Sequence, residues 1–431
     1  MQCSEAWKSH ASIAQSVPLR LKGSSKMFLS PQKVFLLFLS CASTISGARQ
    51  HWQEPLHPKS PESVSLPHTG KFSTTKELLH LHKKLIETES ITGNEKNVGL
   101  WLADYLTSAG LTVEKQEVAK DRYNIFAYPG EKRKTKVLVS SHIDTVPPFW
   151  PYEVRADGTE IWGRGSVDAK ACVAAQTIAT LDLIDAGAVK EGDVALLFVI
   201  AEEKGGDGMI YFSDHKPTNY SAVVFGEPTE GKLAAGHKGI LGWTVKVHGK
   251  ASHSGYPSLG LSANKILVEA LDEMLALEQE FPRSKKYGNS TLNLGRIDGG
   301  VAANVVAENA EADFALRIAA GTVGDIRKMV QERLKPIAAR AEAQGGNVTL
   351  EWMSAGYGVI DIDHDIDGFD VITVNYGTDV PNLAGDHKRY LYGPGSILVA
   401  HSDHEHLKVS ELEQAVVDYK KIITTVLEKA K

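Results

Sequence analysis

The sequence Val194-Ala-Leu-Leu-Phe-Val-Ile200 is the strongest indication of the fold, because it is a run of seven apolar residues that two acids follow after Ala201. A short apolar run bounded by polar residues is typical of a buried strand in a parallel sheet. Similar runs occur at residues 137–139 and 222–225, and an alanine-rich helical pattern occupies residues 169–186. Strands that alternate with helices predict an α/β fold, with a mainly parallel sheet and helices on both of its faces.

The pattern changes after Gly236, where a second group of elements begins. Its members are an alternating strand at 243–248, a helix at 262–280, strands at 290–294 and 310–319, a helix at 323–344 and a strand at 348–353. This β-α-β-β-α-β order predicts a separate, smaller α+β domain, which we assign to residues 238–353. Apolar runs at 371–374 and 396–399 and a helical pattern at 410–429 then follow. We therefore expect one large domain, formed by residues 75–237 and 354–431, that the smaller domain interrupts.

Residues 1–48 resemble neither domain. Lys33 precedes a short apolar run at residues 34–39, and small residues follow as far as Ala48. A basic flank, a short apolar stretch and small residues predict a secretory signal peptide. The run is too short to span a membrane, and we expect no membrane anchor.

If translation starts at Met1, the residues before the apolar run are long for a signal peptide. We therefore expect Met27 to be the initiator and cleavage of this leader, residues 1–48, near Gly47 or Ala48. Residues 49–74, rich in Pro, Ser and His, would then form a linker. The alternatives are a buried core segment or a genuine N-terminal extension.

Composition favours an extracellular protein. Three N-x-S/T sequons predict glycosylation at Asn219, Asn289 and Asn347. Of the three cysteines only Cys172 lies beyond the leader, so no intramolecular disulfide is expected. The formal charge of −6 gives no reason to expect a nucleic acid or an anionic membrane as partner. We predict a secreted glycoprotein.

Metal-binding side chains follow the ends of the apolar strands, where ligand sites of open α/β sheets gather. His142 and Asp144 lie two positions apart after the first run, so His142 can bind a metal while Asp144 orients its ring. Asp168 lies at the start of the alanine-rich helix, where its carboxylate could bridge two cations.

The strongest strand ends in the pair Glu202-Glu203. Adjacent side chains diverge, so one carboxylate can bind a metal and the other can accept a proton from water. Glu227 ends the next strand, and a fifth donor could come from the histidine-rich segment at residues 401–406. Histidine and carboxylate donors without cysteine suit Zn²⁺ or Co²⁺.

Each motif alone has an ordinary alternative. A His-x-Asp or Glu-Glu pair is more often a surface feature, Asp168 could cap a helix, and the histidine-rich segment could be a solvated turn. The order of the motifs favours a metal site, because three of them follow apolar runs in succession.

The same segments resemble a known family. SSHIDTVPP (140–148), GRGSVDAKA (163–171), AEEKGG (201–206), GEPTE (226–230) and GPGSILVAHSDHEHL (393–407) are similar to motifs of the di-zinc hydrolases. That family includes acetylornithine deacetylase, succinyl-diaminopimelate desuccinylase, aminoacylases and glutamate carboxypeptidase. The likeness to its secreted fungal-type carboxypeptidases is particularly strong, and it extends over residues 75–431.

The resemblance implies a role for each of these residues. It implies two Zn²⁺ ions per subunit, one on His142, Asp168 and Glu227 and the other on Asp168, Glu203 and His401. Asp168 would bridge the two ions, Glu202 would be the general base, and Asp144 would steady His142. The family pattern A-H-x-x-polar-E selects His401 within the histidine-rich segment.

The smaller domain resembles the lid and dimerisation domain of the family. The resemblance implies that His253 stabilises the oxyanion, often across a dimer interface. Arg317 and Asn304 would hold the carboxylate of the substrate, and the turn at Gly395 could add backbone N–H groups. The ordinary alternatives are a loop histidine, a strand-edge arginine and a plain turn. A homodimer is expected if His253 acts across an interface, whereas a compact monomer could close its own lid.

These observations predict a secreted zinc-dependent carboxypeptidase. It would hydrolyse the amide bond next to a free carboxylate of a peptide through a metal-bridged water, with Glu202 moving the proton. Glu227 is a glutamate where the aminopeptidases and dipeptidases of the family tend to carry aspartate, which favours a carboxypeptidase or a deacylase. The alternatives are an N-acyl-amino-acid deacylase of the acetylornithine deacetylase type and an inactive metal-binding protein on the same fold.

Overall fold

The computed structural model describes residues 75–430. The expected signal peptide and linker lie outside the described residues. The α-helices are α1 (Thr75–Glu87), α2 (Lys96–Ser108), α3 (Lys170–Asp185), α4 (Asp207–His215), α5 (Ala263–Leu277), α6 (Val323–Ala343) and α7 (Val409–Lys429). The strands are β1 (Leu111–Ala119), β2 (Arg122–Pro129), β3 (Val137–His142), β4 (Glu153–Arg155), β5 (Glu160–Trp162), β6 (Val194–Val199), β7 (Ala222–Gly226), β8 (Leu233–His237), β9 (Gly239–His248), β10 (Arg283–Ser284), β11 (Gly288–Asn289), β12 (Thr291–Gly299), β13 (Asn309–Ile318), β14 (Asn347–Trp352), β15 (Ile360–Asp361), β16 (Val371–Val374), β17 (Lys388–Tyr392) and β18 (His406–Lys408).

The central sheet has the strand order β1-β2-β6-β3-β7-β17. Strands β6, β3, β7 and β17 run parallel to one another, whereas β2 pairs antiparallel with both β1 and β6. Every residue of β3, β6 and β7 is buried, because helices cover both sides of these strands. The prediction of a mainly parallel sheet with helices on both faces is therefore confirmed.

Two apolar cores fill the space between the central sheet and its helices. Val139 and Phe198 pack on one face in the core that α1, α2, α3 and α7 share. Leu138 and Leu197 pack on the other face against Met209 of α4 and its neighbours. Consecutive residues of a strand alternate between the two cores, as the two-residue period of a strand requires.

The smaller domain is built around a second sheet, with the order β12-β13-β9-β14 and antiparallel pairing throughout. Helices α5 and α6 cover one face, where Trp243 stacks on Phe314 with ring centroids 5.4 Å apart. Its long elements follow the predicted β-α-β-β-α-β order, with only the short β10–β11 hairpin added. We call this unit the lid domain; the boundaries 238 and 353 stay a prediction.

Two features of the fold differ from simple readings of the sequence. Strands β1 and β2 extend the sheet at one edge, although exposed charged residues interrupt the apolar pattern of β1. The apolar residues 397–399 form a turn, and the last parallel strand is β17 instead. Within residues 75–430, no helix combines the length and apolar character that crossing a membrane requires.

Candidate metal centre and active site

Asp168 lies between two histidines. Its Oδ1 is 3.1 Å from Nε2 of His142, which ends β3. Its Oδ2 is 3.2 Å from Nε2 of His401, which follows the turn after β17. Each oxygen of one buried carboxylate therefore faces a different imidazole, which is the arrangement that a bridging ligand needs.

Two further carboxylates complete the cluster, one beside each histidine. Oε1 of Glu227, just after β7, is 3.8 Å from Nε2 of His142. Oε2 of Glu203 is 3.0 Å from Nε2 of His401. Candidate ligand atoms of His142, Asp168 and Glu203 all lie within 4.8 Å of one another. A second such group consists of His142, Glu202 and Glu227. The structure thus brings the five expected ligands together and places Glu202 beside them.

Burial and crowding perturb the acids of this cluster. Desolvation, reinforced by the charge of Glu227, raises the pKa of Glu202 well above its usual range. Desolvation also raises the pKa of Glu227 well above its usual range, and nearby Asp168 adds to the shift. Burial and the charge of Asp168 raise the pKa of Glu203. Acids packed this closely away from water are stable as anions only with a compensating positive charge.

The two histidines show the complementary effect. Burial opposes protonation of His142, but hydrogen bonds to Asp144 and Asp168 outweigh it and raise the pKa well above the usual value. Hydrogen bonds to Asp168 and Glu203 raise the pKa of His401 to about 10. A bound cation takes the place of these protons. Nitrogen and carboxylate donors, with an excess of buried acids, fit divalent metal ions such as Zn²⁺.

Glu202 differs from its neighbour Glu203. Within the described part of the chain, no hydrogen bond joins its carboxylate to another residue, and the side chain lines a cavity. Ala201 before it and the ligand candidate His401 both have φ of 61°, which places two non-glycine residues in the left-handed region. Such strained residues concentrate at functional sites, where surrounding contacts hold them. Because its carboxylate lines the cavity and has no hydrogen-bond partner among the described residues, Glu202 is free to exchange a proton with water there.

Asp144 connects the two halves of the cluster. Nδ1 of His142 lies 3.0 Å from the Asp144 carbonyl oxygen and 3.5 Å from its carboxylate, so both groups can orient the ring. The Asp144 carboxylate also accepts hydrogen bonds from the backbone N–H groups of Glu202 and Glu203, at 3.1 and 3.3 Å. The Thr92 hydroxyl donates a further bond of 2.8 Å. Sequence reasoning missed this second role of Asp144 and missed Thr92 entirely.

Glu405 is another residue that sequence reasoning left without a role. Its buried carboxylate accepts hydrogen bonds from the backbone N–H groups of Gly165, Val167 and Asp168, at 2.8, 3.2 and 3.3 Å. It also pairs with the guanidinium of Arg164 at 2.5 Å. The signal was present, since Glu405 is the final acid of the pattern that selects His401.

The metal cluster opens into a cavity of about 550 Å³ between the central sheet and the lid domain. Its volume lies within the range of small-molecule sites. Asp168, Glu202 and His401 line one side, and Arg317 and Tyr357 line the lid side. A substrate in this cavity touches both domains.

Arg317 differs from the other cations on the open face of the lid sheet. Lys246 pairs with Glu351 at 2.6 Å, and Arg296 pairs with Glu311 at 2.5 Å. No hydrogen bond or ion pair joins the Arg317 guanidinium to another residue within 75–430. An unpaired guanidinium beside a metal cluster can bind a carboxylate in bidentate fashion.

The other expected lid residues lie away from the cavity lining. His253 is exposed, and its Nδ1 accepts a hydrogen bond from the Gly255 backbone N–H at 3.0 Å. The Asn304 carbonyl accepts a bond of 3.0 Å from the backbone N–H of Ser254, so these two loops are neighbours. His253 and Asn304 do not line the cavity of a single chain, and their roles stay predictions.

Gly395 also lies outside the cavity lining. It is buried with φ of 73°, and its carbonyl accepts a hydrogen bond of 2.9 Å from the Glu230 backbone N–H. Its expected contact with a substrate carboxylate stays a prediction. The sequon residues Asn219, Asn289 and Asn347 are all exposed, as glycosylation requires, and their modification likewise stays a prediction.

Comparison with known proteins agrees with this geometry. The chain is 42% identical over 432 residues to a probable carboxypeptidase of Aspergillus flavus, with 91% of this chain and 98% of the relative covered. It is 44% identical over 397 residues to a probable carboxypeptidase of Arthroderma otae, with 82% and 86% covered. The peptidase dimerisation domain of the M20 type matches residues 235–342. The chain belongs to the M20 peptidase family.

Solved structures share the fold of this M20 peptidase. A tripeptidase from Staphylococcus aureus superposes with a TM-score of 0.68 at 22% identity, covering 82% of this chain and 99% of that one. An M20 family metallo-carboxypeptidase from Sulfolobus solfataricus gives 0.62 at 14% identity, covering 82% and 97%. Peptidase family M28 also matches residues 124–226, which hold β3, β6 and β7. This M20 peptidase is a metal-dependent hydrolase with a catalytic and a dimerisation domain.

Proposed function

We propose that the protein is a zinc-dependent carboxypeptidase that removes a C-terminal residue from peptides. The observation that carries this proposal is the position of Arg317, an unpaired guanidinium that lines the same cavity as Glu202 and the metal cluster. A free carboxylate bound there places the adjacent amide bond toward the metal side of the cavity. The names of the fungal relatives, probable carboxypeptidases, support the same activity.

Different residues of the site would bind the metal ions and transfer the proton during amide hydrolysis. His142, Asp168 and Glu227 would hold one Zn²⁺, and Asp168, Glu203 and His401 the other. When bound, the ions would supply Lewis-acid chemistry, which polarises a carbonyl group and lowers the pKa of a water molecule. Glu202 accepts the proton of the attacking water and returns it to the leaving amine.

The rest of the chain orients these groups. Asp144 holds the ring of His142 and the backbone of the Glu202–Glu203 turn together. Arg317 fixes the carboxylate end of the peptide. His253 of a second subunit would donate a hydrogen bond to the developing oxyanion, which fits its absence from the cavity lining of one chain.

The proposal includes a homodimeric state and secretion, and separate observations support each of them. The match to a peptidase dimerisation domain supports a homodimer. The apolar segment at 34–39 and the three exposed sequons support secretion as a glycoprotein.

A deacylase of the acetylornithine type is the second candidate, but the named relatives do not favour it. The deciding assay measures amino acid release from N-blocked dipeptides and from N-acetyl amino acids, with and without a chelator. We expect metal-dependent release from the dipeptides, at least tenfold faster than from the N-acetyl amino acids. Faster release from N-acetyl amino acids would favour the deacylase, and no release from either would contradict both.

A further inference from the structure

Ile240 is the cross-strand partner of Arg317, whose guanidinium we assign to the substrate carboxylate. In the antiparallel pairing of β9 and β13, Ile240 and Arg317 are register partners. Their neighbours Leu241 and Leu316 are fully buried in the core of the lid domain, so Ile240 and Arg317 both point to the open face. Directly opposed side chains on one face have Cβ atoms about 5 Å apart. Both residues line the cavity that holds the metal cluster.

Tyr357 extends the surface that Ile240 begins. The backbone N–H groups of Tyr357 and Ile240 each donate a hydrogen bond of 3.0 Å to the carbonyl of the other residue. Burial raises the pKa of the Tyr357 hydroxyl to about 12, so the ring stays uncharged at neutral pH. An isoleucine and a neutral aromatic ring therefore flank the carboxylate-binding guanidinium.

On the lid side, the described residues that line the cavity include no acid. Its acidic lining residues are Asp168, Glu202, Glu203 and Glu227, all in the metal cluster, and Arg317 is the cation on the lid side. A charged substrate side chain next to Ile240 would lose its hydration without gaining a free counter-ion there. That loss is costly, whereas an aliphatic or aromatic side chain gains from the same burial.

We propose that this site selects peptides whose C-terminal residue has an apolar side chain, and that Ile240 is the residue that determines this preference. The inference rests on the proposed carboxypeptidase activity. When Arg317 binds the α-carboxylate, the side chain on the neighbouring α-carbon lies within a few bonds of that anchor. Ile240 is the adjacent group on the same face of the sheet.

The test compares four substrates, benzyloxycarbonyl-glycine linked to Leu, Gly, Asp or Lys, with the zinc-loaded enzyme. We expect kcat/KM for the leucine substrate to exceed that for the aspartate and lysine substrates by at least about tenfold. In Ile240→Ala, kcat/KM for the leucine substrate should fall by about tenfold, because the lost methyl groups no longer contact the substrate. The glycine substrate, which has no side chain, should be affected by less than about twofold.

Val417→Ala is the matched control, since it removes an aliphatic side chain that is 53% exposed on α7 and outside the cavity. It should leave all four values unchanged. Equal rates for the leucine, aspartate and lysine substrates in the wild-type enzyme would overturn the inference without any variant. An equal fall for the leucine and glycine substrates in Ile240→Ala would overturn the role of Ile240. Turnover of none of the four substrates would contradict the carboxypeptidase activity itself.

Discussion

The carboxylate of Glu405 accepts a hydrogen bond from the backbone N–H of Asp168 at 3.3 Å, although 237 positions separate the two residues. Asp168 supplies the carboxylate between the two histidines, and His401 precedes Glu405 by four positions. One buried side chain therefore ties the loop that carries Asp168 to the loop that carries His401. The ion pair with Arg164 fixes the position of that side chain in turn.

Replacing Glu405 should weaken metal binding. Glu405→Gln keeps the size of the side chain but removes the charge that pairs with Arg164. We expect the affinity for Zn²⁺ to fall by about 10- to 100-fold, the usual effect of losing a group that orients metal ligands. Metal retention in graded chelator buffers measures this. Asp403→Asn on the same loop is the control, because Asp403 is exposed and, among residues 75–430, forms an ion pair with His404 alone. Unchanged affinity in Glu405→Gln would refute the positioning role.

The adjacent acids Glu202 and Glu203 should respond differently to the same substitution. Glu202→Gln should lower kcat by at least about 100-fold, because a positioned proton acceptor contributes that much, while metal content stays at the wild-type level. Glu203→Gln should instead lose metal, because its carboxylate lies 3.0 Å from the ligand candidate His401. Metal analysis and single-substrate kinetics separate the two outcomes. Normal turnover in Glu202→Gln would exclude it as the proton carrier.

Arg317→Ala should weaken transition-state binding of substrates that have a free carboxylate. A charge-assisted hydrogen bond contributes about 1.5–3 kcal/mol, so kcat/KM should fall by about 10- to 150-fold. The same peptides with a C-terminal amide should lose much less, since they carry no negative charge for Arg317 to bind. Arg296→Ala serves as the control, because Arg296 lies in the same sheet but is already paired with Glu311. An equal loss for both substrate types would argue against carboxylate recognition.

His82 should make folding stability depend on pH. It is fully buried in α1, where its Nε2–H donates a hydrogen bond of 3.0 Å to the Ser166 carbonyl. Burial lowers its pKa to about 3, below the value of 6.5 expected when the chain is unfolded. The unfolded chain therefore binds the extra proton first as the pH falls below 6.5. Between high pH and pH 5 this one residue should lower the free energy of unfolding by about 2 kcal/mol.

Chemical denaturation between pH 5 and 8 measures this loss. His82→Gln should make the free energy of unfolding change less with pH. His80→Gln, at an exposed position of the same helix, should leave this pH dependence unchanged. If the free energy of unfolding of His82→Gln changed with pH as much as that of the wild type, groups other than His82 would be responsible for the pH dependence.

Much of the central sheet could be predicted, because buried parallel strands are continuous apolar runs. The apolar run at 194–200 forms β6. The two acids after it lie at the carboxyl end of that strand, where open α/β sheets bind their ligands. Strand β1 could not be predicted in this way. It lies at an edge and exposes charged side chains such as Lys115 and Glu117, so its pairing with β2 leaves little apolar signal.

The candidate site was predictable as a set of ligands but not as a network. Strand ends indicate where His142, Glu203 and Glu227 should lie. The bonds that Glu405 and Thr92 make depend on loops that only tertiary folding brings together. The register that places Ile240 beside Arg317 likewise depends on the pairing of two strands that are far apart in sequence.

The position of the lid domain within the chain has a consequence for biosynthesis. Four of the five ligand candidates precede the lid domain, and His401 follows it. A growing chain on the ribosome therefore cannot assemble both halves of the metal centre until the whole lid domain and His401 have been made.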